Sequence, residues 1–233
     1  MGSVTFSIPI DLATALLRAT GIRYAVETGT YLGGTAAMLA DLVDDVWSVE
    51  LVPEILAQAR ERLAGRANVH LVEGYSPAVL PSLLEQVPGP ALYWLDGHGG
   101  TFGADDVPAD IKECPVLDEL AAIEAHPFAA QSVVLIDDAR AFFGRLLHHR
   151  PDWPTFLEVA RALGEDRYVT VLDDVVIGVP AGLRPVVDAW WRGKLEERDG
   201  LEAHPYLIKK LMDPEWVEDF KKAMGIPNPP PVT

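Results

Sequence analysis

A single cysteine, Cys114, stands among 233 residues. That excludes an internal disulfide and a thiolate zinc cluster. No Cys-His signature surrounds it, and it lies before Pro115, which opens a helical pattern, so it reads as a buried or incidental thiol. Long apolar runs are also missing: nothing approaches the roughly 18 residues of a membrane span. The opening MGSVTFSIPIDL lacks the charged-then-apolar pattern of a secretory leader. Basic charge is scarce, with 19 Lys and Arg against 35 Asp and Glu, for a formal net charge of −16. Such a chain repels phosphate backbones, which makes nucleic acid a poor partner. These absences together predict a cytoplasmic protein that engages neither membrane nor nucleic acid.

What is present is an apolar half (49% hydrophobic), enough for one sizeable core. Short β-rich segments alternate with helical patterns. A helix over 10–20, with Asp11 able to cap it, precedes the strand Tyr24–Glu27. Ala36 to about Val43 forms a small-residue helix, Val46–Glu50 a strand, and PEILAQARERLAG a helix with proline near its start and glycine at its end. Val69–Glu73 is the third strand, followed by a helix through Val79–Leu84. Ala91–Asp96 is too apolar for anything but a central strand covered on both faces. Helix 115–125, strand Ser132–Asp137 and helix 153–164 follow, and YVTVLDDVVIGVP reads as a hairpin joined by an Asp-Asp pair. This order predicts an α/β, doubly wound, mostly parallel seven-stranded sheet of Rossmann-like type, closed by an antiparallel hairpin strand. Residues 1–180 form that domain. Residues 181–233 form a C-terminal helical extension with helices near 184–198, 203–212 and 213–224, whose Trp190, Trp191 and Trp216 suit packing on the core, closure of a site or a homodimer contact.

In such sheets ligands bind at the carboxyl ends of the strands. The first end carries Glu27-Thr28-Gly29-Thr30-Tyr31-Leu32-Gly33-Gly34-Thr35. Glycines there permit positive φ and close backbone approach, and the next helix offers free N–H groups. Glu50, followed by Leu51, ends the second strand, where a carboxylate can accept bonds from both ribose hydroxyls. Gly74-Tyr75-Ser76 follows the third strand, on the side from which adenine is held. A dinucleotide fingerprint needs G-x-G-x-x-G. Here Gly29 is followed by Thr30-Tyr31, and Glu27 at the strand tip repels a pyrophosphate but suits a cation, such as the amino group of S-adenosylmethionine (SAM).

On the E-x-G-x-x-x-G-G turn at 27–34, Glu50, Asp96 and the terminal hairpin, residues 20–180 resemble the class I SAM-dependent methyltransferases. The resemblance implies that Glu27, Gly29, Thr30, Tyr31, Gly33, Thr35, Glu50, Leu51, Gly74, Tyr75, Ser76 and Asp96 bind SAM. Further carboxylates cluster at the neighbouring ends: Asp96 in LDGHGG, Asp137 and Asp138 in LIDDAR. Three carboxylates so close require that one be protonated or that a cation sit among them. An acid after strand four plus an acidic pair after strand five resembles the metal-dependent O-methyltransferases of the macrolide-sugar and catechol types. That resemblance implies Mg²⁺, or another divalent cation, on Asp96, Asp137 and Asp138, and a small hydroxylated substrate, a sugar or aromatic of the kind met in natural-product biosynthesis. His98 is the candidate general base, with hydrogen bonding to its own loop or contact with SAM as its other roles.

Other residues read more plainly. His70 is structural, His148 and His149 are surface residues, and Arg140 forms a salt bridge to a local carboxylate. The stretch from Gly99 to Cys114 is too long for a routine connection and suits a lid, with Phe102 over the substrate and Asp105, Asp106 and Asp110 at the rim. Rival readings keep the fold: a metal-independent methyltransferase in which the Asp pair is structural, or a hydroxylase-like or NAD-dependent enzyme on the same plan.

Overall fold

The computed structural model describes residues 7–98, 111–143 and 153–200, with side chains as far as 196. The chain divides into two compact units, Met1–Asp188 and Ala189–Thr233. Phe102, Asp105, Asp106, Asp110, His148, His149 and Trp216 lie outside the described residues, as do the helices expected at 203–212 and 213–224.

In the first unit, strands β1 (Tyr24–Thr28), β2 (Asp45–Glu50), β3 (Val69–Glu73), β4 (Ala91–Leu95), β5 (Val133–Ile136), β6 (Arg167–Leu172) and β7 (Val175–Pro180) form one seven-stranded sheet. Their order is β3-β2-β1-β4-β5-β7-β6. The first five are mutually parallel, and β7 runs antiparallel to both β5 and β6. This is the expected doubly wound plan. The hairpin's second strand, not its first, takes the place beside β5 and leaves β6 at the edge, because VVIGV is buried throughout whereas every residue of β6 is only partly covered. The linking residues Asp173 and Asp174 both hold left-handed backbone, φ +51° and +67°, as a two-residue hairpin turn requires.

Helices α1 (Ile10–Thr20), α2 (Gly34–Ala40), α3 (Pro53–Leu63), α4 (Ser76–Leu84), α5 (Val116–Glu124) and α6 (Phe156–Ala162) make the connections, and α7 spans Arg184–Gly200. Two expectations need correction. Pro9, not Asp11, occupies the α1 cap position. Asp11 lies in the first turn and its Oδ1 accepts the Leu12 N–H. Helix α2 stops at Ala40 instead of reaching Val43, because the chain must turn there to bring the Asp44 N–H onto the Arg23 carbonyl and enter β2. Helix α6 starts at a capping box in which Thr155 and Glu158 exchange bonds.

The core follows the apolar runs. Every residue of β4 and β5 is buried, with Tyr93 and Trp94 among the largest fully enclosed side chains. These two strands hold the middle of the sheet rigid, so the loops at their carboxyl ends start from fixed points. Within the second unit, the rings of Trp190 and Trp191 are 5.9 Å apart, with the Lys194 Nζ 5.6 Å from the Trp190 centroid. Among the described residues no helix is long and apolar enough to cross a membrane.

Candidate active site

The carboxyl end of β1 is a buried acid backed by hydroxyls. Glu27 is 1% exposed, and its Oε2 accepts the Ser48 hydroxyl at 2.5 Å. Ser48 is in turn 2.6 Å from the Thr30 hydroxyl, and Thr35 also bonds the Glu27 carboxyl. Burial pushes Glu27 up to about 8; Ser48 and Thr35 pull the other way, and nearby Glu50 reinforces the rise. A group in this state ionises fully only when a cation joins it.

Gly29 explains the turn. It has φ +86°, and a Cβ there would lie 2.3 Å from the Asp96 carbonyl oxygen, so the loops after β1 and β4 touch backbone to backbone. Gly29 and Thr30 donate their N–H groups to the Val49 carbonyl, which ties this turn to β2. Tyr31 also holds positive φ, +47°, and its side chain stands out into solvent. The Glu50 carboxylate is fixed by two amides, Tyr31 N–H on Oε2 at 2.8 Å and Val52 N–H on Oε1 at 2.9 Å. Each oxygen keeps a lone pair for a ligand hydroxyl. Gly33 precedes α2, Leu51 follows Glu50, and the Gly74 N–H donates to the Glu50 carbonyl, which sets Gly74-Tyr75-Ser76 beside the end of β2. The structure therefore brings the residues expected to hold SAM to one edge of the sheet.

The ends of β4 and β5 hold the remaining acids. Burial raises Asp96 to about 9, with Asp137, Glu27 and Asp138 adding to the shift and the Trp94 indole opposing it. Asp137 is raised to about 7, again by burial first. His98 is buried, and its Nε2 lies 3.2 Å from the Asp137 carbonyl oxygen. A carbonyl can only accept, so Nε2 carries the proton and Nδ1 presents its lone pair. Nδ1 has no partner. Phe142 and Trp153 meet the imidazole edge-on at 5.8 and 5.3 Å. Burial lowers its basicity, against the opposing pull of Asp138, so the ring is neutral near pH 7.

The expected metal set does not assemble. Among the described residues, the carboxylates whose oxygens lie within 4.8 Å of one another are Asp137, Asp138 and Asp174; Asp96 is not among them. A cation already serves this group. The Arg140 guanidinium bonds Asp138 at 2.7 Å and also bonds Asp174, whose other oxygen accepts the Arg140 N–H at 2.9 Å. Asp138 and Asp174 are thus bonded to an internal arginine, and Asp96 stands outside the cluster that Asp137 and Asp138 form with Asp174. Arg140 is the salt-bridging residue expected of it. His70 is structural as expected, 2.8 Å from Asp45 and against the Trp47 ring. Cys114 is buried.

Two residues here escaped sequence reasoning. Asp174 belongs to the hairpin turn, and only the tertiary fold carries it to Arg140. Glu119 of α5 is wholly enclosed, its Oε1 accepting the Ser76 hydroxyl at 2.5 Å. Its signal was available: with Val116, Leu120 and Ile123 it completes an i, i+3, i+4, i+7 face, a position that buries whatever stands there.

No family model matches the chain. It is similar to curated protein-L-isoaspartate O-methyltransferases, 45% identical over 75 residues to one from Anaeromyxobacter dehalogenans and 32% over 110 residues to one from a Polaromonas species. The matches cover 30% and 41% of this chain and only 36% and 47% of those relatives. Their names concern methylation of a protein, which overturns the expectation of a small hydroxylated substrate. Among solved structures, a Staphylococcus aureus protein assigned as a caffeoyl-CoA O-methyltransferase superposes with a TM-score of 0.53 at 14% identity, over 77% of this chain and 86% of that one. At that identity the likeness speaks for fold alone. Strand order, closing hairpin and superposition agree: this chain has the class I SAM-dependent methyltransferase fold.

Proposed function

We propose that this chain is a SAM-dependent O-methyltransferase whose acceptor is a carboxylate within a protein, the isoaspartyl class for which its curated relatives are named. The observation that carries the donor half is the β1 end, where buried Glu27 rests on Ser48, itself bonded to Thr30, beside a glycine pressed onto the Asp96 carbonyl. A carboxyl held partly protonated in such a place gains most from an arriving ammonium group, which the methionine part of SAM carries. Glu50, fixed by two amides, offers its free lone pairs to ribose hydroxyls. SAM supplies a methyl group on a positively charged sulfur, and the protein's task is alignment of the acceptor oxygen with it.

The acceptor half rests on the protonation states at β4 and β5. An anionic acceptor would be repelled by ionised carboxylates. With Asp96 raised to about 9, that group is neutral at pH 7 and can donate to an acceptor oxygen. A carboxylate needs no base to make it nucleophilic at this pH. His98 is then a positioning group whose Nδ1 accepts an N–H from the acceptor's backbone. No step calls for a divalent ion, since Arg140 already neutralises Asp138 and Asp174.

The test is transfer of labelled methyl from SAM to an L-isoaspartyl peptide and to its L-aspartyl twin, alongside calorimetric titration with SAM. Label on the isoaspartyl peptide alone supports both halves. SAM binding with no transfer to either peptide would remove the acceptor assignment, and absence of SAM binding would remove the whole reading.

A further inference from the structure

Glu119 is a carboxyl with no part in the chemistry above, yet it lies beneath the site. Three observations locate it. Its Oε1 takes the Ser76 hydroxyl at 2.5 Å. The Thr28 hydroxyl, at the end of β1, lies against the same carboxyl. A Cβ on Gly97 would come within 3.5 Å of Oε1 and 3.2 Å of Thr28. Glu119 therefore underlies the space between the turn after β3 and the loop after β4. Its neighbours fasten that place: the Lys112 N–H donates to the Tyr75 hydroxyl at 3.3 Å, and Lys112 pairs with Asp118. Consecutive residues 75 and 76 are thus tied to the start of α5.

Ser76 opens α4 immediately after the turn whose Gly74 bonds the Glu50 carbonyl. With ribose hydroxyls on Glu50, the base of a bound nucleoside falls toward Ser76. A serine has one hydroxyl proton and two lone pairs. With Glu119 ionised, as it is above about pH 7, the proton is committed to its carboxylate, so what Ser76 can offer a ligand is an acceptor only.

We infer that Glu119 acts through Ser76 as a positioning residue for base selection, making this site accept a 6-amino purine and reject its 6-oxo counterpart. The inference rests on the SAM reading. An exocyclic amine donates to Ser76 Oγ, whereas a 6-oxo group faces it lone pair to lone pair. An unmade bond of this kind in a desolvated place costs on the order of tenfold or more in affinity. In the Glu119→Leu variant the Ser76 hydroxyl is free to rotate and donate, so the preference collapses. In Glu119→Gln the amide oxygen keeps accepting from Ser76 while its NH₂ faces Thr28, so the preference survives.

The experiment is calorimetric titration of the full chain with S-adenosylhomocysteine and with S-inosylhomocysteine, which differ only at the purine 6-position and N1. We expect the wild type to favour the adenosyl compound by tenfold or more, Glu119→Gln to keep that ratio within threefold, and Glu119→Leu to bring it below threefold. Ser76→Ala, which removes only one buried hydroxyl, is expected to lose the ratio as well and carries the test should the leucine variant not fold. A merely structural Glu119 would lower the melting temperature and leave the ratio unchanged. That outcome, in a folded Glu119→Leu or in Ser76→Ala, overturns the inference, as does a wild type that binds both compounds equally. A wild type that binds neither overturns the SAM reading itself and this inference with it.

Discussion

Two acidic corners sit on the same edge of one sheet and solve the same electrostatic problem differently. At the ends of β1 and β2, Glu27 and Glu50 are met by neutral donors, the Ser48 hydroxyl (itself bonded to Thr30), the Thr35 hydroxyl and two backbone amides. At the end of β5 and the hairpin turn, Asp138 and Asp174 are met by a full positive charge from Arg140. Neutral donors stabilise a carboxylate without cancelling its field, so the first corner stays attractive to an external cation. The second has its counter-ion built in. The lesson is that a count of carboxylates at strand ends does not identify a cation site; the identity of their partners does.

Gly29 is where the first corner is most easily destroyed. Gly29→Ala places a methyl into the Asp96 carbonyl at a φ that L-residues resist, and we expect SAM affinity to fall by more than about 100-fold, read by calorimetry. Next comes Glu27→Gln, which keeps the shape and removes the charge. A charge-assisted bond of roughly 2–3 kcal/mol predicts a loss of about 30- to 100-fold in SAM affinity. The same variant should melt higher than the wild type, since a buried acid has been removed. If Glu27→Gln binds SAM normally, the first corner is not the cation's place.

Solution pH sharpens the same point. Glu27 titrates at about 8 in the fold against a reference of 4.5, so the folded chain holds a proton that the unfolded chain releases. Its contribution to stability is therefore favourable below pH 4.5 and lost as pH rises toward 8. Asp96, Asp137 and Glu119, raised to about 9, 7 and 7, act with the same sign. Melting temperature should fall steadily from pH 5 to pH 9. SAM affinity should move the other way, rising over pH 6–8 as Glu27 loses its proton before the ligand arrives. Parallel rather than opposed trends would contradict the assignment of Glu27.

The smaller effects belong to the second corner. Arg140→Met leaves Asp138 and Asp174 without their counter-ion, and we expect a loss of about 1–2 kcal/mol in stability by urea titration, reduced by the arginine's partial exposure. SAM affinity should stay within about twofold. Smallest of all, EDTA should leave SAM binding and methyl transfer unchanged within experimental error. A strong EDTA effect restored by Mg²⁺ would show that an ion displaces Arg140.

How much of this was written in the sequence depends on whether the cause was local. Strand β3 falls at the expected Val69–Glu73, and the cores of β1, β2, β4 and β5 fall where their apolar runs place them, because burial of such runs leaves little freedom of register. The β1 turn was legible for the same reason: glycine spacing and a terminal acid are chain-local signals. Asp137 and Asp138 cluster as their neighbouring positions implied, but their third member is Asp174 instead of Asp96, because a strand that inserts out of chain order brings it there, and Arg140 bonds Asp138 and Asp174 beside Asp138's left-handed backbone, φ +53°. Glu119 was missed although it occupied an apolar helix face, since carboxylates are ordinarily assigned to solvent.

The insertion of β7 between β5 and β6 has a consequence for biogenesis. As the chain emerges from the ribosome, β5 is complete some forty residues before its neighbour, and through that interval its outer edge carries unpaired N–H and C=O groups beside a wholly apolar VVLI run. Strand β6, although made first, cannot relieve this, because its place in the finished sheet exists only once β7 is seated. Nascent or truncated chains that end before Val175 therefore present a sticky edge strand, the kind that recruits copies of itself or a chaperone. The closing hairpin is thus the point at which the molecule passes from an aggregation-prone intermediate to a sealed sheet.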